Sequence, residues 1–375
     1  QAYDPKIAAL IVRALEMIDA IGGKFMIMTA TLPKIYFDRI MNSKEIQRFP
    51  LVYKTFVNDD LKRHRLKMIN TSILDYIKEI ALAGKQKKTL VICNTVKQAI
   101  NVYERLLQEK ADVNLLHSLF LQKDRFLLEK KIKEFAKNCS YGIWVTTQLV
   151  EASLDIDFDI LYTELSTLDS FFQRLGRCYR QRNLEHNKPN IWVFTEDISG
   201  VPYVYDKDLV YKSVILLQNY NEKLLLESEK IKLIEVLYSN ESLRGMNFFK
   251  TFNETLSYLE NIEPYDIDKQ EAQKYLRDIN NVKVIPRNVF DQISDDLIAR
   301  YRKEKDRVKR RRLRREIDQY TISINKYRAR NFLSKSGLPA SLADLFIMDL
   351  YYDFYKGRGV GLNLSKSEGL ENFMS

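Results

Sequence analysis

The sequence predicts an α/β fold. A parallel sheet flanked by helices is followed by a helical, basic segment and a small terminal domain. Three observations carry this. Short apolar runs alternate with helical periodicities through about residue 200. Residues 207–260 then carry Leu, Ile and Phe at helical spacings. The run ARYRKEKDRVKRRRLRREID (299–318) has no Gly or Pro and is dense in Arg and Lys.

The elements follow in order. Ile7, Leu10, Ile11, Ala14, Leu15 and Ile18 fall at helical spacing. The chain enters this helix at once and has no starting methionine, so it reads as a piece of a longer protein. Phe25–Met28 is a short apolar run suited to a buried parallel strand, and it ends in Thr29-Ala30-Thr31-Leu32-Pro33. Hydroxyls at a strand's carboxyl end sit where α/β folds place ligands. A helix and a polar connector come next, then a helix over about 71–83 that Gly84 can stop. Thr89–Cys93 is a buried strand ending at Asn94 and Thr95, with a helix over about 97–108 behind it. Strand Val113–His117, a helix over about 122–137, and strands Gly142–Thr146 and Ile160–Glu164 continue the series. An arginine-rich helix and strand Ile191–Phe194 close it. Such alternation argues for right-handed crossovers.

Beyond residue 200 the pattern is helical. The basic run has few apolar residues (Leu297, Tyr301, Val308, Leu313), so it reads as one long solvated helix outside the core. It is either a solvated face or a nucleic-acid contact. Tyr320–Ile324 alternates like a strand, and residues 320–375 read as a small domain with turns at Gly357, Gly359 and Gly361.

Bulk properties bound the function. The 375 residues leave room for two or three domains, and 45% hydrophobic with 29% charged residues suits a soluble folded chain. No run approaches the ~20 apolar residues of a membrane span, and no signal segment leads the chain. Cys93, Cys139 and Cys178 form no CxxC pair, which suits a reducing cytoplasm. His64, His117 and His186 are scattered, which argues against a histidine-based metal site. The net charge of +10 points to a polyanion, most often nucleic acid, or to a surface kept basic for solubility.

The octet Gln173-Arg174-Leu175-Gly176-Arg177-Cys178-Tyr179-Arg180 is the most informative stretch. Arg177 and Arg180 are three apart and would share a helix face. Two adjacent guanidinium groups suit the charge of a transferring phosphoryl group, where one such arginine is worth roughly 10³–10⁵ in rate. Gly176 would let the helix start approach another backbone. An exposed basic helix is the alternative.

Four strand-end motifs occur in fixed order: TATLP (29–33), VICNT (91–95), VTTQLVEASLDID (145–157) and QRLGRCYR (173–180). This order resembles the superfamily 2 helicases, whose two RecA-like domains clamp ATP and grip a nucleic-acid strand. DSxxQRLGRCxR after ASLDID, with LLHSxFxxKDR (115–125) upstream, resembles the CRISPR-associated helicase-nuclease of type I interference systems. The resemblance is strong over about residues 1–200 and less specific beyond.

The resemblance implies roles. Thr29 and Thr31 would couple the nucleotide cleft to the nucleic-acid track. Asn94, Thr95, His117, Ser118, Arg125, Thr146 and Thr147 would hold the strand's phosphate backbone. Asp155 would face the nucleotide, Gln173 would sense the γ-phosphate, and Arg177 and Arg180 would be the fingers. Neutral hydroxyl and amide donors suit a motor that must not read bases. Blander readings stay open: Thr29 and Thr31 could cap a helix, Asn94 could be a turn residue, and Asp155 could pair with a basic neighbour.

The departures are as informative. A phosphate loop needs GxxxxGK[ST]. Around Gly22-Gly23-Lys24, Ile18 stands where the first Gly belongs and Phe25 where the hydroxyl belongs. No DExH box is present; Gln1–Pro5 resembles the residues that follow one in the family. No His is followed by Asp, so the HD nuclease signature is missing, and Leu119 replaces a usual arginine. The chain would hold half an ATPase site, inactive alone. On this reading it is the carboxyl-terminal part of an ATP- and Mg2+-dependent single-stranded DNA translocase, cytoplasmic, acting with an amino-terminal helicase and HD nuclease portion and an RNA-guided surveillance complex. Residues 1–50 would end the first RecA-like domain and 51–200 form the second. Residues 201–318 would be a helical accessory region with the basic linker helix, and 319–375 a terminal accessory domain. Another superfamily 2 DNA or RNA helicase, or a non-catalytic docking module, is the alternative.

Overall fold

The computed structural model describes residues 4–151, 154–261 and 281–363. Gln1–Tyr3, two residues of the VTTQLVEASLDID segment and the last part of the expected terminal domain lie outside these.

Its centre is a six-stranded sheet of β1 (Leu66–Ile69), β2 (Lys88–Ile92), β3 (Val113–Leu116), β4 (Gly142–Thr146), β5 (Ile160–Glu164) and β6 (Ile191–Phe194). The order is β1-β6-β5-β2-β4-β3 and every pairing is parallel. Parallel strands covered on both faces read as continuous apolar runs. That is why KTLVI and GIWVT become β2 and β4, buried almost throughout. From β2 the chain passes to one side of the sheet, toward β3; from β5 it passes to the other, toward β6. β2 and β5 are neighbours, so their carboxyl ends form the topological switch point where such sheets bind ligands.

Ten helices are labelled here: α1 (Pro5–Ala20), α2 (Lys34–Met41), α3 (Ile77–Gly84), α4 (Val96–Gln108), α5 (Gln122–Asn138), α6 (Leu168–Leu175), α7 (Lys207–Gln218), α8 (Glu227–Leu237), α9 (Asn240–Leu243) and α10 (Asn247–Asn261). Thr95 caps α4, its hydroxyl accepting from the Gln98 N–H at 3.2 Å. α3 ends at Gly84, and a Cβ there would meet Ile143 Cγ1 at 2.2 Å. This glycine is therefore also the close approach between α3 and β4.

The strand expected at Phe25–Met28 does not form. The segment is irregular, and Met26 and Met28 stand 86% and 89% exposed. A buried parallel strand needs neighbours to take its backbone groups and cover its faces, and none pairs with it among the described residues. The helices around this segment pack instead on the later helical region. Ile35 N–H donates to Tyr238 O at 3.2 Å, and the Tyr36 and Phe252 rings lie 5.2 Å apart.

A second sheet joins β7 (Asn281–Pro286), β8 (Ile322–Asn325), β9 (Leu333–Ser334) and β10 (Leu345–Met348) in the order β8-β7-β10-β9. β7 comes from a segment read from sequence as part of the helical region, so the sheet closes around the basic run. That run is not one solvated helix. A helix ends at Lys303, Glu304 is extended, and Asp306 caps a new helix Arg307–Asp318 by accepting from Lys309 N–H at 2.8 Å. Leu313 and Ile317 are buried on its inner side. Sparse apolar residues sufficed because only a narrow stripe is covered.

The hairpin of β11 (Tyr352–Tyr355) and β12 (Arg358–Leu362) docks on the loop between β3 and α5. Leu362 N–H donates to Leu119 O at 3.0 Å, and Tyr352 OH donates to Asp124 Oδ2 at 2.7 Å. Gly361 permits the approach: it has φ +72°, and a Cβ there would lie 2.8 Å from Leu119 O.

Candidate functional site

The switch point is filled by one fully buried arginine, Arg174. It comes from the inner face of α6, between the buried Phe171 and Leu175. Its Nε donates to Glu151 Oε1 at 2.8 Å, and Nη1 donates to Thr163 Oγ1 and Glu164 O, each at 2.9 Å. Nη2 donates to Asn94 Oδ1 and Tyr205 OH, each at 2.8 Å. Burial works against its charge, but Tyr205 and Glu151 outweigh it and hold the guanidinium above its usual pKa. Glu164, also buried, accepts from Asn94 N–H (2.7 Å), Ser199 N–H (2.8 Å) and Ser199 Oγ (2.7 Å). Burial raises its pKa against those donors.

Arg177 and Arg180 do not share a helix face. α6 ends at Leu175, Gly176 follows at the helix end and not its start, and the two arginines lie in a turn where Tyr179 has φ +49°. The turn brings both side chains onto one segment. Arg177 Nη1 donates to Leu154 O at 2.7 Å and Nη2 to Glu151 O at 2.6 Å. Its Nε is buried and has no hydrogen-bond partner among the described residues. Burial and then the Arg180 cation push its pKa below the usual range. Arg180 Nη1 pairs with Asp155 at 3.0 Å, and Arg180 N–H donates to Asp157 Oδ1 at 3.0 Å. The Asp155 carboxylate is otherwise exposed. It therefore does pair with a basic neighbour. Gln173 is half-buried near the end of α6.

The expected strand contacts are mostly internal. Asn94 is buried; its amide nitrogen donates to Leu165 O at 2.8 Å while its oxygen serves Arg174. Its backbone oxygen accepts from Gln148 Nε2 at 2.7 Å. Thr95 caps α4 and donates to Ser199 Oγ at 3.2 Å. Thr146 and Thr147 are buried at the end of β4. His117 is buried beneath the terminal hairpin, with Nδ1 accepting from Leu119 N–H at 3.2 Å and its ring stacked on Phe120. Burial pushes its pKa down to about 3, so the ring is neutral. Leu119 is buried where an arginine is usual, which explains an apolar residue there. Ser118 is half-exposed, and Arg125, also half-exposed, lies 3.5 Å from Glu129. Thr29 and Thr31 lie in the exposed loop before α2, with Thr29 Oγ1 donating to Thr31 O at 2.8 Å. Neither caps a helix: α2 starts after Pro33 without a side-chain cap.

Sequence reasoning passed over Arg174, Glu151, Glu164 and Tyr205. Two signals were present: a charged residue among Phe171, Phe172 and Leu175, and a carboxylate ending the apolar strand ILYTE. Tyr205 and Glu151 carry none, because only the fold brings them to α6. Among the described residues no three His, Cys, Asp or Glu side chains gather as a metal ion would require. No described helix is long and apolar enough to cross a membrane.

A parallel sheet of this order, flanked by helices and with the loops that follow β2 and β4 at its carboxyl edge, is the RecA-like α/β arrangement that the sequence predicts. The proteins this chain is similar to are Cas3 proteins. Residues 85–183 match the family model described as CRISPR-associated nuclease/helicase Cas3, C-terminal. The CRISPR-associated nuclease/helicase Cas3 of Methanothermobacter thermautotrophicus is 28% identical over 315 residues, covering 80% of this chain and 38% of the relative. The crystal structure of T. fusca Cas3 with ATP superposes with a TM-score of 0.71 at 18% identity, over 96% of this chain and 52% of that one. A chain in a structure described as a CRISPR RNA-guided surveillance complex, pre-nicking, gives a TM-score of 0.69 at 17% identity, over 97% of this chain and 56% of that one. The resemblance read from the motifs holds: this chain matches the carboxyl-terminal helicase part of Cas3, and it spans 38% to 56% of these three proteins.

Proposed function

We propose that this chain is the carboxyl-terminal part of an ATP-dependent single-stranded DNA translocase that unwinds target DNA, and helps to degrade it, in type I CRISPR antiviral defence. The observation that carries this is the arginine turn. Arg177 reaches the backbone oxygens of Glu151 and Leu154, Arg180 pairs with Asp155, and the half-buried Gln173 lies one turn of chain earlier, near the end of α6.

The residues present fit part of a nucleotide site. Two guanidinium groups and one glutamine suit polyphosphate oxygens, and the orphaned Arg177 Nε is a donor in want of an acceptor. The sequence has no GxxxxGK[ST] loop for the β- and γ-phosphates, and on this reading the phosphate loop and magnesium carboxylate would come from an amino-terminal portion. Bound ATP with Mg2+ would supply the phosphoryl transfer that drives the cycle. The work of this chain is to place cationic donors. Arg177 now donates to two neutral carbonyl oxygens, and an anionic oxygen is the stronger acceptor. Arg180 is already charge-paired, to Asp155.

For the nucleic-acid track the same reading assigns Ser118 and Arg125 to the strand, since both are half-exposed. Asn94, Thr95, Thr146, Thr147 and His117 then position the loops that flank it. Thr29 and Thr31 would link the two RecA-like halves. The complete enzyme would be cytoplasmic and recruited by an RNA-guided surveillance complex.

The test is strand-stimulated ATP hydrolysis by this chain combined with an amino-terminal portion. Stimulation by single-stranded DNA and not by RNA supports the reading. Stimulation by RNA would assign the chain to an RNA helicase. An Arg177→Ala variant with full activity would leave a docking module.

A further inference from the structure

The arginine turn is held by its backbone. Of the four backbone oxygens of residues 177–180, three are taken by donors from other elements: Arg177 O by Phe158 N–H (3.0 Å), Cys178 O by His64 (2.9 Å) and Arg180 O by Arg63 Nη1 (2.7 Å). His64 and Arg63 lie just ahead of β1, on a different element from Glu151, Leu154 and Asp155, which the two arginine side chains meet.

His64 is fully buried. A carbonyl oxygen can only accept, so the ring nitrogen facing Cys178, Nε2, carries the proton. Nδ1 therefore presents a lone pair, and Lys230 Nζ of α8 stands 2.9 Å from it. One neutral tautomer satisfies both contacts. Burial, then the Lys230 and Arg63 cations, depress the ring's pKa well below the usual value, in agreement with that state. Lys230 is itself buried and donates to Glu227 Oε1 at 2.6 Å, and the same oxygen accepts from Arg63 Nη2 at 2.5 Å. The two donors to the turn thus share one anchor on α8.

We propose that His64 is a positioning residue: with Arg63 it fixes the backbone of the arginine turn, and through Lys230 and Glu227 it makes α8 part of the support for Arg177 and Arg180. The role assigned to these arginines rests on the function proposed above, whereas the tie itself does not.

The tie can be read without catalysis. Cys178 is buried inside the turn, and Cys93 is buried at the end of β2. Alkylation of each, measured by peptide mass on the full chain, reports opening of the turn and of the sheet separately. Loss of one buried hydrogen bond should raise the alkylation rate of Cys178 about tenfold in His64→Leu, with Cys93 unchanged. His64→Gln offers an amide donor to Cys178 O and an oxygen to Lys230, and should label as the unaltered chain does. Lys230→Met should shift Cys178 in the same direction as His64→Leu. Unchanged Cys178 labelling in both His64→Leu and Lys230→Met would overturn the proposal, as would Cys93 accelerating in step with Cys178. In the complete enzyme, His64→Leu should lower kcat about tenfold with little change in KM for ATP, and His64→Gln should restore it. Faster labelling of Cys178 with kcat unchanged would leave the tie standing and overturn the catalytic role of the arginines.

Discussion

Arg174 and Asn94, eighty positions apart, meet at 2.8 Å in the middle of the sheet's carboxyl edge. This bond turns two motifs into one unit. Asn94 lies in the loop after β2, and Arg174 sits on the helix that leads into the arginine turn. Through Arg174, the strand-end loops and the turn share Glu151, whose backbone oxygen holds Arg177.

Removing Arg174 should therefore be costly. Breaking a buried ion pair by deleting one partner costs about 3–5 kcal/mol, because the remaining charge stays buried. Arg174→Ala leaves Glu151 without its cation and Glu164 with less compensation. The expected outcome is a loss in that range by urea unfolding. A loss below about 1 kcal/mol, the level of a single surface pair, would show that the network does not hold the edge together.

His117 gives the chain an acid limit. It is neutral in the fold and its pKa is pushed down to about 3, against an ordinary 6.5. Below about pH 6.5 the unfolded chain binds a proton that the folded one refuses, so stability falls as the pH drops through this window. His64 acts in the same direction. The buried carboxyls Glu164 and Asp169, raised by burial, act oppositely. The difference between the unaltered chain and His117→Gln isolates the histidine. Its unfolding free energy should become less dependent on pH between about 6 and 4, by an amount on the order of a few kcal/mol.

Tyr352 should anchor the terminal hairpin. Its hydroxyl donates to the buried Asp124 carboxylate and accepts from Leu121 N–H at 3.2 Å. Tyr352→Phe strands both groups, which costs roughly 1–3 kcal/mol. Limited proteolysis should then cut between the second sheet and the hairpin faster, with β2 and β4 still protected. Equal cleavage rates would contradict the anchor.

The helix Arg307–Asp318 divides its cations. Arg310 donates to Ser341 Oγ and Arg314 to Asp344, while Arg307, Arg311, Arg312 and Arg315 stand exposed. If the exposed set meets phosphates, single-stranded DNA affinity should fall with salt by a slope of about 0.7 per contact. Replacing Arg311, Arg312 and Arg315 by Gln should lower that slope by about 2. A slope unchanged by the replacement would make this face merely solvated.

Much of the fold was legible because parallel strands leave strong marks. Apolar runs such as TLVIC and GIWVT, separated by helical periods, matched β2 and β4. Phe25–Met28 carries the same mark and forms no strand, since the mark reports what a segment could bury and not whether neighbours exist to bury it. β7 was missed because NVKVIP pairs with strands far along the chain. The arginines were legible as a motif, but their geometry was not: a turn at Tyr179 replaced the expected helix face. Asn94 and His117 were given strand contacts by the resemblance, and only packing shows that both are buried. Arg174 was overlooked because a charged residue in a basic octet looks exposed until the helix face it occupies is known.

The central claim is that this chain supplies the arginine half of a split ATPase site. The most direct measurement is single-stranded-DNA-stimulated ATP hydrolysis by the chain alone, by the chain with an amino-terminal portion carrying a phosphate loop and carboxylate box, and by the same pair with Arg177→Ala. The account expects no hydrolysis alone, recovery on mixing, and a loss of roughly 10³-fold or more in the variant. Hydrolysis by the chain alone that disappears in Arg177→Ala would contradict it, and would mean that a phosphate-binding loop exists within these residues.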